Sequence, residues 1–354
     1  MNEANVALVG YGFVGRVFHA PLIAHTPGLR LHTVASSDAS KVRADWPQAR
    51  VTADPHAAFA DPAIDLVVLA TPNDTHAPLA IAALRAGRHV VVDKPFAPTL
   101  AEAEAVAAAA DAAGRFVSVF HNRRWDTEFL TLKRLVDEGV LGEVVELRSH
   151  FDRYRPQVPD RWRERPGPGT GLWFDLGPHL VDQALQLFGA PEAVQADIAA
   201  FRNGAQVDDW FEVSLHWPRR RAVLHASTLA ADHRLRFLAH GTAASFLKHG
   251  LDPQETRLRA GIAPGSPGWD HDPHPGELVR IENDEPRRTP VASVPGDYRA
   301  YYAGIREALR SDAPPPVTVA EALSTMRVLD AARDSASRGV RVALATPIAG
   351  VPRP

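Results

Sequence analysis

The chain reads as two folds in series. An N-terminal α/β domain with a doubly wound parallel sheet, the Rossmann arrangement, is followed by an α+β domain on a large, mostly antiparallel open sheet. Three observations predict this. The first 120 residues alternate short, continuously apolar runs with helical stretches, the pattern of strands covered on both faces. Past about residue 125, alternating runs become common and the connections lengthen. The length of 354 residues exceeds the roughly 250–300 that one core sustains. The division is placed at 1–122 and 123–354.

In order, Val6–Val9, Leu31–Ala35, Leu66–Ala70, Val90–Val92 and Phe116–Phe120 read as the strands of the first sheet. A helix from Thr75 to Ala86 stops at Gly87. Another from Thr99 to Ala113 carries a Thr99/Glu102 capping box and ends at Gly114. The second domain starts with a helix over Thr127–Glu138 and a strand over Val144–Phe151. A Pro- and Arg-rich stretch, Asp152–Gly171, precedes a helix beginning near Pro178 and ending at Gly189. Val194–Ala200, Trp210–Trp217, Arg221–Thr228, Arg234–Ala239 and Ser245–Leu247 supply further strands. Residues 261–276 read as an irregular loop, and helices at Tyr298–Arg310 and Val319–Arg338 close the chain.

Composition excludes several classes. A formal charge of −3 provides no general field for nucleic acid or anionic lipid. The absence of cysteine removes disulfides and thiolate metal sites. No run reaches the ~18 apolar residues of a membrane span, and no export signal opens the chain, so a cytoplasmic location is expected. Asp270-His271-Asp272-Pro273-His274 lies in a Pro/Gly loop without helical spacing, and no metal is expected. Tyr298, Tyr301 and Tyr302 read as the buried side of a helix.

Gly10-Tyr11-Gly12-Phe13-Val14-Gly15 follows a strand and opens a helix, the context in which Gly-x-Gly-x-x-Gly cradles a dinucleotide. The first glycine makes the turn, the second admits the pyrophosphate and the third lets helix and sheet pack. At the tip of strand 2, where NAD-binding chains place an acid, stand Ser36 and Ser37, then Asp38, Lys41 and Arg43. Serines tolerate a 2′-phosphate and Lys41 or Arg43 can pair with it. NADP is therefore favoured, while Asp38 leaves NAD open. Thr71-Pro72-Asn73-Asp74-Thr75-His76 ends another strand on the ligand-binding side; Asn73 or His76 is a candidate for ribose or nicotinamide, and Asp74 or Thr75 equally a helix cap.

Lysine occurs four times among 39 basic residues, and one of the four, Lys94, ends an apolar strand at Asp93-Lys94-Pro95. Arg stays charged in proteins, whereas a partly buried ammonium can join proton transfer. Asp175-x-x-x-His179 places two side chains on one helix face, with Pro178 read as a first helical position and His179 near the positive end of the dipole. Such a neutral imidazole suits a base taking a hydroxyl proton as hydride leaves carbon.

These motifs in this order, with Gly169-Thr170-Gly171-Leu172-Trp173-Phe174-Asp175-Leu176-Gly177-Pro178-His179, resemble the glucose–fructose oxidoreductase/inositol dehydrogenase (Gfo/Idh/MocA) family across essentially the whole chain. The family's usual Glu-Lys-Pro is Asp-Lys-Pro here. The resemblance implies Lys94, Asp175 and His179 as catalytic residues, with His179 as acid/base, Lys94 polarising or relaying and Asp175 orienting. Phe18-His19-Ala20-Pro21, Phe120-His121-Asn122-Arg123-Arg124-Trp125-Asp126 and Asp160-Arg161-Trp162-Arg163-Glu164 are similar to NADP-linked scyllo-inositol dehydrogenase-like members. Asn122, Arg123, Trp162 and Arg163 suit a polyhydroxylated ligand. Arg153, Arg155, Arg161, Arg163 and Arg165 read equally as a loop holding ion pairs. The resemblance also implies a homodimer or homotetramer joined through the open sheet. A reductase of another carbonyl or imine, dihydrodiol or biliverdin in type, and a non-catalytic NAD(P)-sensing regulator are the rival functions.

Overall fold

The computed structural model describes residues 3–311 and 313–344. The chain forms two compact units. The first holds the residues up to Asn122, Gln254–Asp270 and Asp297–Leu323; the second holds Arg123–Pro253, His271–Gly296 and the chain from Ser324 onward. One passage between them falls at Asn122/Arg123. The last ten residues of the expected second domain, 345–354, lie outside the described residues.

The first unit is built on six strands: β1 (Ala4–Val9), β2 (Leu29–Ala35), β3 (Arg50–Thr52), β4 (Leu66–Leu69), β5 (His89–Val92) and β6 (Val117–Val119). All neighbours pair in parallel, in the order β3-β2-β1-β4-β5-β6. Val6, Leu8, Leu66–Leu69 and Val90–Val92 are fully buried, which is why these strands show no polar alternation. Helices α1 (Ala20–Ala24), α2 (Ala39–Asp45), α3 (Pro55–Ala60), α4 (His76–Arg85) and α5 (Leu100–Ala113) complete the winding. In α5 the expected cap forms: Glu102 N–H donates to Thr99 Oγ1 at 3.2 Å, and the Thr99 hydroxyl donates to the Glu102 carboxylate at 2.7 Å. Tyr298, Tyr301 and Tyr302 are completely buried, and Tyr301 donates to Ser118 at 2.9 Å.

The second unit contains α6 (Thr127–Asp137), α7 (Leu172–Phe188) and a nine-stranded sheet. Its strands are β7 (Val144–His150), β8 (Ala193–Ala199), β9 (Trp210–Trp217), β10 (Arg220–Ser227), β11 (Leu235–Gly241), β12 (Ser245–His249), β13 (Gly276–Glu282), β14 (Glu285–Val291) and β15 (Val342–Ala343). The order is β14-β13-β12-β11-β7-β10-β9-β8-β15, antiparallel except between β7 and β10. One face buries Phe211, Val213, Leu215, Ala222, Leu224 and Ala226, and α7 packs on β9 and β10 with Trp173 edge-on to Phe211.

Two features depart from expectation. The β13–β14 hairpin follows the irregular stretch 261–276, over residues to which the sequence assigns no strand. Its two-residue turn, Asn283-Asp284, has positive φ at both positions, a type I′ geometry. The second departure concerns α7, which begins at Leu172 rather than near Pro178, so Pro178 is inside the helix. Gly171 at φ +90° starts it, and the Asp208 carboxylate accepts Trp173 N–H at 2.6 Å. A helix cap contributed from 35 residues away is invisible to local pattern.

Candidate cofactor and active site

In the first unit, the candidate residues gather at the carboxyl edge of the sheet. Gly10–Gly15 leaves β1, Ser36 and Ser37 leave β2, Thr71–Asn73 leave β4 and Asp93-Lys94-Pro95 leaves β5. β1 and β4 are adjacent, and the strand order reverses there. That crevice is where open α/β sheets take ligands.

The glycines divide by role. A Cβ on Gly15 would lie 2.1 Å from the Gly10 carbonyl oxygen, so packing alone demands glycine there. A Cβ on Gly12 would meet nothing within 4 Å. That open space before the helical turn is what a pyrophosphate would require. Tyr11 is buried, with its hydroxyl on Asp45, which also takes Arg16 at 2.7 Å. Burial, then Asp45, pushes the Tyr11 phenol up, so its side chain ties the loop to α2. Phe13 is half-exposed and edges Phe18.

At the tip of β2, Asp38 caps α2. Its carboxylate accepts the Ser40 hydroxyl at 2.7 Å and Lys41 N–H at 3.1 Å, which hold its pKa below the ordinary value. Ser37 and Arg43 are exposed and Lys41 is partly so.

His76 is fully buried, with Nδ1 2.8 Å from the Pro95 carbonyl and Nε2 3.0 Å from that of Thr71. Both nitrogens face carbonyls at two strand-end corners; burial lowers the imidazole pKa, and a neutral ring donates to one of them, a packing role beside the cofactor role expected for this residue. Asn73 is buried beside it. Thr75 occupies the cap position of α4, yet its hydroxyl contacts Thr71 and Pro72 instead.

The Lys94–Pro95 peptide is cis, and Lys94 is half-buried. Asp93 beside it is buried. Burial raises the carboxyl pKa, but His19, Lys94 and His76 outweigh it and keep Asp93 ionised below the ordinary value. His19 lies 3.6 Å from Asp93 and 2.5 Å from the Tyr302 hydroxyl, a buried network that the Phe18-His19-Ala20-Pro21 motif did not reveal by itself.

In the second unit, Asp175 falls in the first turn of α7 and His179 one turn further on, buried at 5% exposure. The corrected helix start moves His179 away from the dipole's positive end, because that field fades within the first turn. Asp175 instead sits there and pairs with Arg163 at 3.3 Å and Arg153 at 3.6 Å. Arg163 also stacks against the half-exposed Trp162. Asp175, Arg153 and Arg163 line a concave, Arg-rich pocket with Arg155, Arg202 and Asp208. Much of the loop from Asp152 to Gly171 is held by carboxylates: Glu164 takes Arg161 and Arg202, and Asp160 takes Arg165. Asn122, the last residue of its segment of the first unit, is buried; Arg123 in the second is buried against Asp126 and the Phe151 ring. Asp208, missed in the sequence, is pushed up to about 6 by burial. The Asp208-Asp209 pair ahead of a strand was its only signal.

Comparison with known proteins gives a consistent result. The model of the oxidoreductase family's NAD-binding Rossmann fold (GFO_IDH_MocA) matches residues 4–121, and that of its C-terminal alpha/beta domain matches 133–344. The uncharacterized oxidoreductase YdgJ of Escherichia coli is 52% identical over 97% of this chain and 99% of its own length. The NADP(+)-dependent scyllo-inositol 2-dehydrogenase IolW of Bacillus subtilis is 38% identical over 95% of this chain and 94% of its own. A solved structure of YPO2259 from Yersinia pestis superposes with a TM-score of 0.93 at 49% identity, covering 98% of each chain.

Proposed function

Because the chain belongs to the Gfo/Idh/MocA oxidoreductase family, we propose that it is an NAD(P)-dependent dehydrogenase of a sugar or cyclitol such as an inositol. The observation that carries this reading is the glycine turn at the point where the strand order reverses, with space at Gly12 and Lys94 on the same sheet edge. The backbone of Gly10–Gly15 would hold the pyrophosphate, and Thr71–Asn73 with Asp93–Pro95 would flank the nicotinamide end. When bound, the nicotinamide supplies the hydride acceptor or donor.

The protein's part is proton handling and positioning. Lys94 polarises the reacting oxygen and relays its proton, with the Asp93 carboxylate as a fixed counter-charge. His179 is the acid/base, and Asp175, held by Arg153 and Arg163, orients the substrate side. Asn122, Arg123, Trp162 and Arg163 provide the hydrogen bonds and aromatic face for a polyhydroxylated ring.

NADP is the favoured cofactor. Capping of α2 occupies the Asp38 carboxylate, while Ser37, Lys41 and Arg43 remain for a 2′-phosphate. The NADP(+) linkage of IolW supports this preference. The outer sheet face, with Val145 exposed and Val223, Leu238 and Leu247 partly so, is the proposed surface for a homodimer or homotetramer.

The test is reduction of NADP+ or NAD+ with inositols and aldoses. Turnover is expected with NADP+ preferred, and Lys94→Ala is expected to lower kcat by about 10²–10⁴-fold. Cofactor binding without turnover on any polyol, or turnover indifferent to Lys94→Ala, overturns the assignment.

A further inference from the structure

The outward face of the nine-stranded sheet carries two histidines and a carboxylate that the proposed reaction does not use. We propose that His150, Asp152 and His225 form a binding site for a divalent transition metal of the zinc class. Their ligand atoms all lie within 4.8 Å of one another. Asp152 Oδ1 is 2.9 Å from His225 Nδ1, and Oδ2 is 3.1 Å from His150 Nδ1. Tetrahedral zinc with bonds of about 2.0–2.1 Å separates its ligand atoms by roughly 3.3 Å, so the two Asp–His separations need open only slightly.

The backbone fixes this arrangement. β7 and β10 pair in parallel with His150 opposite His225. Pairing runs on past β7: Phe151 N–H donates to His225 O at 2.9 Å and Arg153 N–H to Ser227 O at 2.8 Å. An extended segment alternates its side chains, so His150 and Asp152 share the outward face while Phe151 and Arg153 point the other way. Ligands mounted on paired strands need little ordering.

The surroundings also fit. Ser227 N–H donates to Asp152 Oδ1 at 2.9 Å, the kind of outer contact that aims a metal-binding carboxylate. The Trp210 ring stands edge-on to His225 and walls one side. His225 Nδ1 is a buried atom that faces the Asp152 carboxylate rather than solvent. Two imidazoles and one carboxylate favour zinc, cobalt or nickel over magnesium or calcium. The side chains of His150 and His225 are 18% and 17% exposed in the single chain.

The experiment titrates metal-stripped full-length protein with Zn(II), and with Co(II) for its visible absorption. One ion per chain is expected, with a tetrahedral Co(II) spectrum. Outer-shell changes alone cost about 10–100-fold in affinity, so His225→Ala and Asp152→Asn should each lose at least that. His240→Ala, which removes another histidine of the same sheet, should bind as the wild type does. Circular dichroism checks folding, and His150→Gln replaces any variant that fails to fold. Uptake far below one ion per chain, or binding unchanged in the folded variants, overturns the site. Neither result depends on turnover.

Discussion

Two glycines three positions apart, Gly12 and Gly15, have different reasons to exist, and substitution separates them. Gly12→Ala meets open space, so stability should stay within about 0.5 kcal/mol while nucleotide affinity falls. Gly15→Ala drives a methyl into the Gly10 carbonyl and should cost about 1–3 kcal/mol in urea unfolding, with or without nucleotide. Equal destabilisation by both would remove the argument for a pyrophosphate at Gly12. Asp208 offers a pH test. Its folded pKa of about 6 lies above the ordinary 3.8, so the native state binds the extra proton between those values. Stability from this residue is therefore greatest below about pH 4 and declines by on the order of 3 kcal/mol as pH rises past 6. Asp208→Asn should flatten that part of the stability curve; an unchanged slope counts against burial as its cause. The glycine motif was legible because its chemistry is local. Asp208 was not, because its effect depends on a helix 35 residues earlier in the chain.

At the scale of elements, α7 carries Asp175 and His179, and its starting point sets which of them feels the helix dipole. Gly171 is doubly constrained: φ is +90°, and a Cβ would lie 2.1 Å from Asp208 Oδ1. Gly171→Ala should destabilise the protein by about 2–4 kcal/mol and weaken the Asp175 ion pairs, detectable as a lower urea midpoint. A midpoint within error of wild type would mean that the helix start tolerates displacement. Pro178 misled the sequence reading because proline is commonest at a first helical position. Here the turn before it is already held by Asp208, and the helix continues through proline. The opposite error hid β14, whose Glu285-Pro286-Arg287-Arg288-Thr289-Pro290-Val291 has neither apolar alternation nor freedom from proline; only an edge strand accepts both.

Across the whole molecule, the two units are stabilised differently. The first has a continuous apolar sheet core, whereas the second buries several ion pairs. Arg236 is fully buried, reaches Glu128 at 3.2 Å, Ser149 at 2.9 Å and Gln183 at 2.6 Å, and lies over the Phe237 ring. Arg124 grips Asp182 with two bonds, also buried. Arg236→Met would strand the buried Glu128 carboxylate and should cost about 3–5 kcal/mol, much of it recovered by adding Glu128→Gln. A loss under about 1 kcal/mol would show that water or repacking reaches the site. Among the described residues no helix is long and apolar enough to cross a bilayer.

Local chemistry in the sequence determined the parallel sheet, the glycine turn, the Lys94 corner and the family resemblance, because strand period, turn residues and short motifs act over a few positions. Tertiary structure alone decided that His76 lies against two corners, that Asp208 starts α7 and which carboxylates the loop arginines meet. It also brought His150, Asp152 and His225 together, since pairing between β7 and β10 joins residues 75 positions apart. Contacts of that range depend on strand register, which no local pattern encodes.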